Sequence, residues 1–130
     1  ICRGNFKSTF LFSGGDAPVA KYLAQLNYDG FFLEYANDRS GDFSPLATIW
    51  NQRPNVRIVL GLITSKSGEL EDKQKIIDRL HEAAEHVPLT NLCLSPQCGF
   101  ASTEEGNILT EEQEWAKLKL VKEIADEVWQ

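Results

Sequence analysis

Hydrophobic residues fall into two patterns along the chain: short continuous runs, and longer stretches in which apolar positions recur every three to four residues. Short continuous runs are typical of strands that are buried on both faces of a parallel sheet. The second run is rich in β-branched residues and gives the clearest strand prediction. The predicted strands cover residues 31–33, 56–63 and 91–94.

Stretches with helical spacing lie before, between and after these strands. A polar, glycine-containing loop covers residues 1–15, and Asp16 is then an N-cap candidate with Pro18 in the first turn. This pattern predicts a helix that ends near Asn27. Its apolar stripe consists of Val19, Tyr22, Leu23 and Leu26.

Three further helices are predicted. A short helix covers about residues 45–50, and an amphipathic helix runs from residue 70 to about residue 86, before Pro88 terminates it. Residues 110–113 form a capping box that begins the last helix. The apolar faces of the last two helices comprise Ile76, Ile77, Leu80, Ala83, Ala84 and Val87, and Trp115, Leu118, Val121, Ile124, Ala125 and Val128.

The regular alternation of helices and strands determines the predicted fold. Such alternation implies parallel strands that are joined by right-handed crossovers. Three strands cannot close an eight-stranded barrel, which typically takes ~250 residues. We therefore predict an α/β fold in which residues 1–130 form a single unit, the C-terminal portion of a TIM (β/α)8 barrel with about three βα units. The start at Ile1 and the lack of methionine lead us to expect a fragment of a longer chain.

Residues with ligand chemistry stand just past two of the predicted strands and at the start of the chain. Glu34 directly follows the run over residues 31–33, Cys98 comes shortly after the run over residues 91–94, and Cys2 precedes the first helix. The carboxyl ends of strands are where α/β folds build their sites. Two thiolates and a carboxylate are a zinc-like ligand set with room for a fourth partner.

Each of these residues also has an ordinary structural interpretation. A free cysteine such as Cys98 is often a small buried hydrophobe, and Cys2 at a chain end is an exposed thiol unless it acts together with Cys98. A carboxylate at the buried end of a strand is costly unless it is paired or coordinated. For Glu34 the alternative to metal coordination is therefore a salt bridge, with Arg3 or Arg39 as the candidates.

Other residues with possible chemistry are assigned to packing or to solvent. Cys93 lies inside a predicted strand, and we assign it to packing. His81 and His86 are five positions apart, so they do not share one side of a helix, and we exclude them as ligands. The three tryptophans are interpreted as core or edge packing; they are Trp50, Trp115 and Trp129.

Composition and charge restrict the partners of the protein. The net charge of -6 argues against nucleic acid or an anionic membrane as the main partner, because both require basic patches. No apolar run approaches the roughly 20 residues that a membrane span needs, and no signal peptide is recognisable. Three cysteines are an odd number that suits a reducing compartment better than a disulfide framework. We expect a soluble, cytoplasmic protein.

Three short segments resemble one known family. They are Cys-Arg-Gly-Asn-Phe at residues 2–6, Phe-Leu-Glu-Tyr at residues 32–35 and Ser-Pro-Gln-Cys-Gly at residues 95–99. Together they resemble the C-terminal catalytic barrel of cobalamin-independent methionine synthase, and in particular the shorter, single-barrel relatives of that enzyme. The resemblance spans the whole chain in a consistent order, and the separation of the three motifs makes it specific.

This resemblance implies a metal site and a reaction. In the family, zinc is held at the mouth of a TIM barrel by a His-x-Cys motif, a glutamate after the next strand and a cysteine in a Pro-x-Cys-Gly turn. The corresponding ligands here are Cys2, Glu34 and Cys98, and the histidine of the first motif would lie immediately before Ile1. The implied reaction transfers a methyl group from a methyltetrahydrofolate-type donor to the thiol of homocysteine, which forms methionine.

The chain departs from the family pattern at a further position. The family carries a histidine after the strand that corresponds to residues 56–63, in a loop proposed to help proton transfer, and Lys66 lies near that place here. Lys66 is therefore a candidate catalytic residue. The family residues that bind folate, and most of those that bind homocysteine, belong to earlier strands, so the methyl donor and the thiol acceptor stay open.

Two other functional classes fit the same sequence. The chain could be a non-catalytic barrel fragment or an oligomerisation module, because open parallel edges are prone to pairing with copies of themselves. It could also carry out another reaction on the same barrel, such as alkyl transfer to a different thiol or decarboxylation, because a fold does not fix a function.

Overall fold

A computed structural model describes residues 1–9, 11–37, 40–101 and 103–130. Its elements alternate along the chain as the hydrophobic pattern predicts, and a 3₁₀ turn at Leu89–Asn91 leads into the last strand. The helices are α1 (Ala17–Leu23), α2 (Ser44–Gln52), α3 (Lys73–Ala84) and α4 (Glu111–Val128). The strands are β1 (Gly30–Glu34), β2 (Arg57–Ile63) and β3 (Leu92–Pro96).

The three strands form one parallel sheet in the order β1-β2-β3. Leu33 of β1 is in register with Leu60 of β2, which is in register with Leu94 of β3. One position further along, Glu34, Gly61 and Ser95 stand side by side at the carboxyl ends of the strands. The predicted α/β fold with parallel strands is thereby confirmed.

The two faces of the sheet differ in burial. On one face, Leu33 and Leu60 belong to a core cluster together with residues of all four helices. The opposite face includes Phe32, whose side chain is 67% exposed, and Val59 and Cys93, which are half-buried. The prediction that the strand over residues 31–33 is buried on both faces is therefore wrong for Phe32. Helices pack against only one face, and successive side chains of a strand point to opposite faces.

Helix α1 differs from its prediction in length and in the residues it buries. It ends at Leu23 rather than near Asn27, and its buried residues are Ala20 and Leu23. Val19, Tyr22 and Leu26 of the predicted stripe are exposed. The side chain of Asp16 makes no capping hydrogen bond, because it pairs with the guanidinium of Arg3 instead.

The two longer helices largely follow their sequence signals. Helix α3 begins after Asp72, whose side chain accepts a hydrogen bond from the Lys75 backbone N–H, and its predicted apolar stripe is buried apart from the half-buried Ala84. The capping box that begins α4 is present, with reciprocal bonds between Thr110 and Gln113. No helix among the described residues has the length and apolar character that crossing a membrane demands.

The buried face of α4 is rotated from the predicted one. Its buried residues are Lys117, Leu120 and Ile124, whereas Trp115 is 62% exposed. The assignment of Trp115 to packing is therefore wrong. The difference arises because the Lys117 ammonium finds an anionic partner inside the fold, the carboxylate of Glu71 at 3.0 Å. A sequence pattern that places every lysine in solvent cannot anticipate such a pair.

The central strand provides a test of the core. We expect Leu60→Ala to lower the free energy of unfolding by about 2–5 kcal/mol, because it deletes a fully buried side chain and leaves a cavity. Chemical denaturation measures this loss. Phe32→Ala on the neighbouring strand is the matched control, since its exposed side chain should contribute far less. Equal losses in the two variants would contradict the one-sided packing of the sheet.

Candidate metal centre

Three predicted ligands meet at the carboxyl ends of the strands. Glu34 is the last residue of β1, Cys98 lies two residues after β3, and Cys2 belongs to the segment that precedes α1. One ligand atom from each residue, the two sulfurs and a carboxylate oxygen, lies within 4.8 Å of the others. Among the described residues this is the one group of its kind.

Local structure brings Cys98 into this group. The backbone N–H of Gln97 donates to the carbonyl of Ile63 at 2.7 Å, which ties the segment after β3 to the end of β2. Gly99 then adopts a φ of 107°, a left-handed conformation that favours glycine, so the chain can turn directly after Cys98. The Cys98 side chain therefore lies at the carboxyl ends of the strands.

The two thiols are in direct contact with each other. Cys2 Sγ lies 2.6 Å from Cys98 Sγ, and both cysteines are free and exposed. Two thiolates on one tetrahedral zinc ion, with bonds of roughly 2.3 Å, would stand about 3.8 Å apart. Zinc binding therefore requires the two sulfurs to separate by about 1 Å, a change within the reach of side-chain rotation at an exposed site.

The environment of Cys98 favours its protonated form. Burial and a hydrogen bond with Cys2 raise the pKa of the Cys98 thiol to about 11, although the positive charge of Lys66 acts in the opposite direction. Metal ligands must be deprotonated, so an ion that binds here displaces protons from the thiols.

The sequence left two interpretations of Glu34 open, a metal ligand and a salt-bridge partner, and its surroundings fit both. Its side chain is buried, and one carboxylate oxygen accepts a 2.7 Å hydrogen bond from the backbone N–H of Arg3. The Arg3 guanidinium lies 3.9 Å from the same oxygen, which is an ion pair without a direct hydrogen bond. Glu34 is therefore both paired with Arg3 and grouped with the two cysteines. The alternative partner, Arg39, lies outside the described residues.

The three predicted ligands line a cavity of about 430 Å³. A pocket of this size accommodates a small organic substrate. Its walls are mainly apolar, and its polar lining includes the three predicted ligands and Gln97. The apolar part of the lining is contributed by Ile1, Phe32, Leu33, Pro96 and Phe100.

Lys66 lies beside the centre. Its ammonium donates to the side-chain oxygen of Gln97 at 3.1 Å. Its positive charge acts to lower the pKa of the Cys98 thiol. Gln97 is buried and lines the cavity, although the sequence analysis did not identify it as a candidate. Its position between Pro96 and Cys98 in the turn was the available signal. Cys93, which we assigned to packing, is half-buried and lies outside the ligand group of the described residues.

The chain is similar to known proteins both in sequence and in structure. No protein-family model matches the chain. Two uncharacterized proteins of Bacillus subtilis (strain 168), YxjH and YxjG, are 61% and 57% identical to it over 130 residues, which is 99% of this chain. The chain spans about a third of their length, since the match covers 34% of each.

Two solved structures resemble the fold. A protein from Listeria monocytogenes, provisionally assigned as a vitamin-B12-independent methionine synthase, has a TM-score of 0.71 and 43% identity, with 100% of this chain and 34% of that one covered. A B12-independent methionine synthase from Shewanella sp. W3-18-1, solved in complex with selenomethionine, has a TM-score of 0.69 and 23% identity. That match covers 85% of this chain and 29% of the other.

The three parallel strands match part of the barrel of the Listeria protein, so the fold is that of a partial barrel of the methionine synthase type. The similarity to that protein confirms the resemblance to cobalamin-independent methionine synthase that the three sequence motifs indicated, and the Shewanella structure supports the fold. The relatives are about three times as long as this chain, a length within the range of one (β/α)8 barrel.

Proposed function

We propose that this chain supplies the zinc-binding part of an S-methyltransferase that methylates the thiol of homocysteine and so forms methionine. The observation that carries the proposal is the convergence of Cys2, Glu34 and Cys98 within 4.8 Å at the edge of an apolar cavity. The similarity to proteins described as B12-independent methionine synthases supports the same reaction class. A methyltetrahydrofolate-type molecule is the proposed methyl donor.

The donor set fits zinc. Thiolates and a carboxylate are ligands that zinc accepts, and thiolates disfavour the harder ions magnesium and calcium. The ligand atoms are close together and face a cavity, so three protein ligands leave room for another. Ile1 lines the same cavity, and its nitrogen donates to the carbonyl of Phe32. A histidine immediately before Ile1 would therefore stand at the rim of the site as a fourth ligand.

Zinc, when bound, would act as a Lewis acid that favours the thiolate form of a substrate thiol at neutral pH. Cys2 and Cys98 would hold the ion with two negative charges, which leaves the site less electron-withdrawing than three neutral nitrogens would. The substrate sulfur thus keeps its nucleophilicity. Glu34 is the protein ligand proposed to yield its place when the substrate enters, because a carboxylate is less firmly held by zinc than a thiolate is.

The proposed methyl transfer forms one bond, breaks one bond and moves one proton. A carbon–sulfur bond forms between the methyl group and the substrate, and the bond between the methyl group and the donor nitrogen breaks. The thiol loses its proton, and the donor nitrogen gains one. Lys66, whose ammonium lies near Cys98, is the residue of this chain proposed to assist that proton transfer.

A direct test uses a protein that spans the full length of the relatives and carries this chain, with and without its metal. We expect about one zinc ion per chain after purification, and methylation of homocysteine that stops when a chelator removes the ion and returns when zinc is added back. The assay follows methionine formation with a methyltetrahydrofolate donor. Protein that contains no zinc and binds none would contradict the proposal.

The exposed face of the sheet favours a second candidate, an oligomerisation module that pairs with copies of itself. Phe32 on the edge strand β1 is largely exposed, and exposed apolar surface at a sheet edge promotes association. Sedimentation of the 130-residue chain, together with zinc analysis, separates the candidates. A zinc-free oligomer would favour the module, and a zinc-containing species the methyltransferase.

A further inference from the structure

Arg3 is the most extensively bonded side chain at the metal centre, although it is not itself a ligand. It is only 7% exposed, and it stands next to Cys2 in the chain. Its Nε donates to the carbonyl of Gly14 at 2.6 Å, and one terminal nitrogen donates to the carbonyl of Glu34 at 3.0 Å. The other terminal nitrogen donates to the carboxylate of Asp16 at 2.8 Å.

The guanidinium of Arg3 pairs more closely with Asp16 than with Glu34. The distance to the Asp16 carboxylate is 2.8 Å, whereas the distance to the Glu34 carboxylate is 3.9 Å, which is too long for a hydrogen bond. Asp16 is itself 2% exposed, and burial raises its pKa while the adjacent Arg3 opposes that shift. A buried charge of either sign is costly unless it is paired, so Arg3 and Asp16 stabilise each other.

The contacts of Arg3 with Glu34 and Asp16 affect how the site binds a cation. The backbone N–H of Arg3 donates to the Glu34 carboxylate, and the Arg3 guanidinium donates to the Glu34 backbone carbonyl. Arg3 therefore holds both the side chain and the backbone of Glu34. Because the guanidinium lies closer to the Asp16 carboxylate than to the Glu34 carboxylate, it competes less strongly with a cation for Glu34. The Arg3–Asp16 pair is also electrically neutral, which avoids repelling a divalent ion.

We propose that Arg3, neutralised by Asp16, is the positioning residue of the metal centre: it joins the Cys2 segment to the end of β1 and so holds two ligands in register. This inference rests on the proposed function, because the ligands are positioned for the metal. It assigns a role in cation affinity to Asp16, which is not a ligand.

The test measures zinc affinity by competition with a chromophoric chelator in the full-length protein that contains this chain. Loss of a group that orients a metal ligand typically costs 10–100-fold in affinity, and we expect a loss in that range for Arg3→Gln. Asp16→Asn keeps the shape of the side chain but leaves the Arg3 charge beside Glu34, so we expect an affinity loss of at least about tenfold. Arg53→Gln is the control, since Arg53 also donates to a backbone carbonyl, that of Tyr28, but lies at the other end of the sheet.

A spectrum distinguishes positioning from general loss of structure. With Co²⁺ in place of zinc, both variants should keep the sulfur-to-cobalt absorption of the two cysteines while the visible bands that report coordination geometry change. If Arg3→Gln does not fold, the Asp16→Asn result decides. Wild-type zinc affinity and an unchanged cobalt spectrum in folded Arg3→Gln or in Asp16→Asn would overturn the positioning role. Absence of zinc binding in the wild-type protein would instead overturn the proposed function.

Discussion

In a full-length protein that carries this chain, Cys98→Ser should abolish both zinc retention and methyl transfer. A serine hydroxyl stays protonated at neutral pH and is a poor zinc ligand, so the variant keeps only Cys2 and Glu34 of the three grouped residues. The substitution is small and the site is exposed, so the fold should survive. Metal analysis of the purified variant and a methionine-formation assay measure the two losses.

The chain provides a matched control for this substitution. Cys93→Ser makes the same chemical change five residues earlier, at a half-buried position of β3 outside the ligand group of the described residues. We expect that variant to keep its zinc and its activity. A normal zinc content in Cys98→Ser, or equal losses in both variants, would refute the assignment of Cys98 as a ligand.

The second large effect concerns stability. We expect Glu71→Ala to lower the free energy of unfolding by about 3–5 kcal/mol, the usual result of removing one partner of a buried ion pair. Lys117 is fully buried, and both carboxylate oxygens of Glu71 lie within 3.1 Å of its ammonium. Glu71 also accepts a 2.8 Å hydrogen bond from the Thr64 backbone, so the loop after β2 loses an anchor as well. Urea denaturation measures the change.

Two comparisons make this result specific. Glu127→Gln removes the carboxylate of an exposed ion pair with Lys73, and exposed pairs contribute little, so that variant should be nearly as stable as wild type. Adding Lys117→Met to Glu71→Ala removes the unpaired buried charge and should restore part of the lost stability. A loss in Glu71→Ala no larger than that of Glu127→Gln would contradict the energetic importance of the buried pair.

The sequence predicted the strands well because their signals are local. The strand over residues 56–63 is β-branched and uninterrupted, and the observed β2 differs from it by one residue. The capping box at Thr110 fixed the start of α4 for the same reason, since its two hydrogen bonds join residues three positions apart. Parallel pairing followed from the alternation of elements.

The sequence failed where distant residues decide the outcome. Asp16 has the local pattern of an N-cap, but a partner thirteen positions away, Arg3, takes its carboxylate. Lys117 is buried because Glu71 lies across the fold, and that pairing rotates the face of α4 and exposes Trp115. Phe32 is exposed because the helices cover only one face of these three strands, and the other face corresponds to the interior of the barrel that the chain matches in part.

The proximity of the three predicted ligands was predictable in part. A cysteine and a glutamate at the ends of parallel strands indicate a shared site, and the family resemblance supported the inclusion of Cys2. The short distance between the two thiols depends on the folded geometry, and so does the ion pair of Arg3 with Asp16. Spacing along the chain carries no information about either.

X-ray absorption at the zinc edge of the metal-loaded protein tests the central claim most directly. If Cys2, Glu34 and Cys98 share one ion, the spectrum should show two sulfur neighbours at about 2.3 Å and a shell of lighter atoms at roughly 2.0–2.2 Å. A coordination shell that consists of nitrogen and oxygen alone would mean that the two cysteines do not bind the metal, and the methyl-transfer proposal would fall with them.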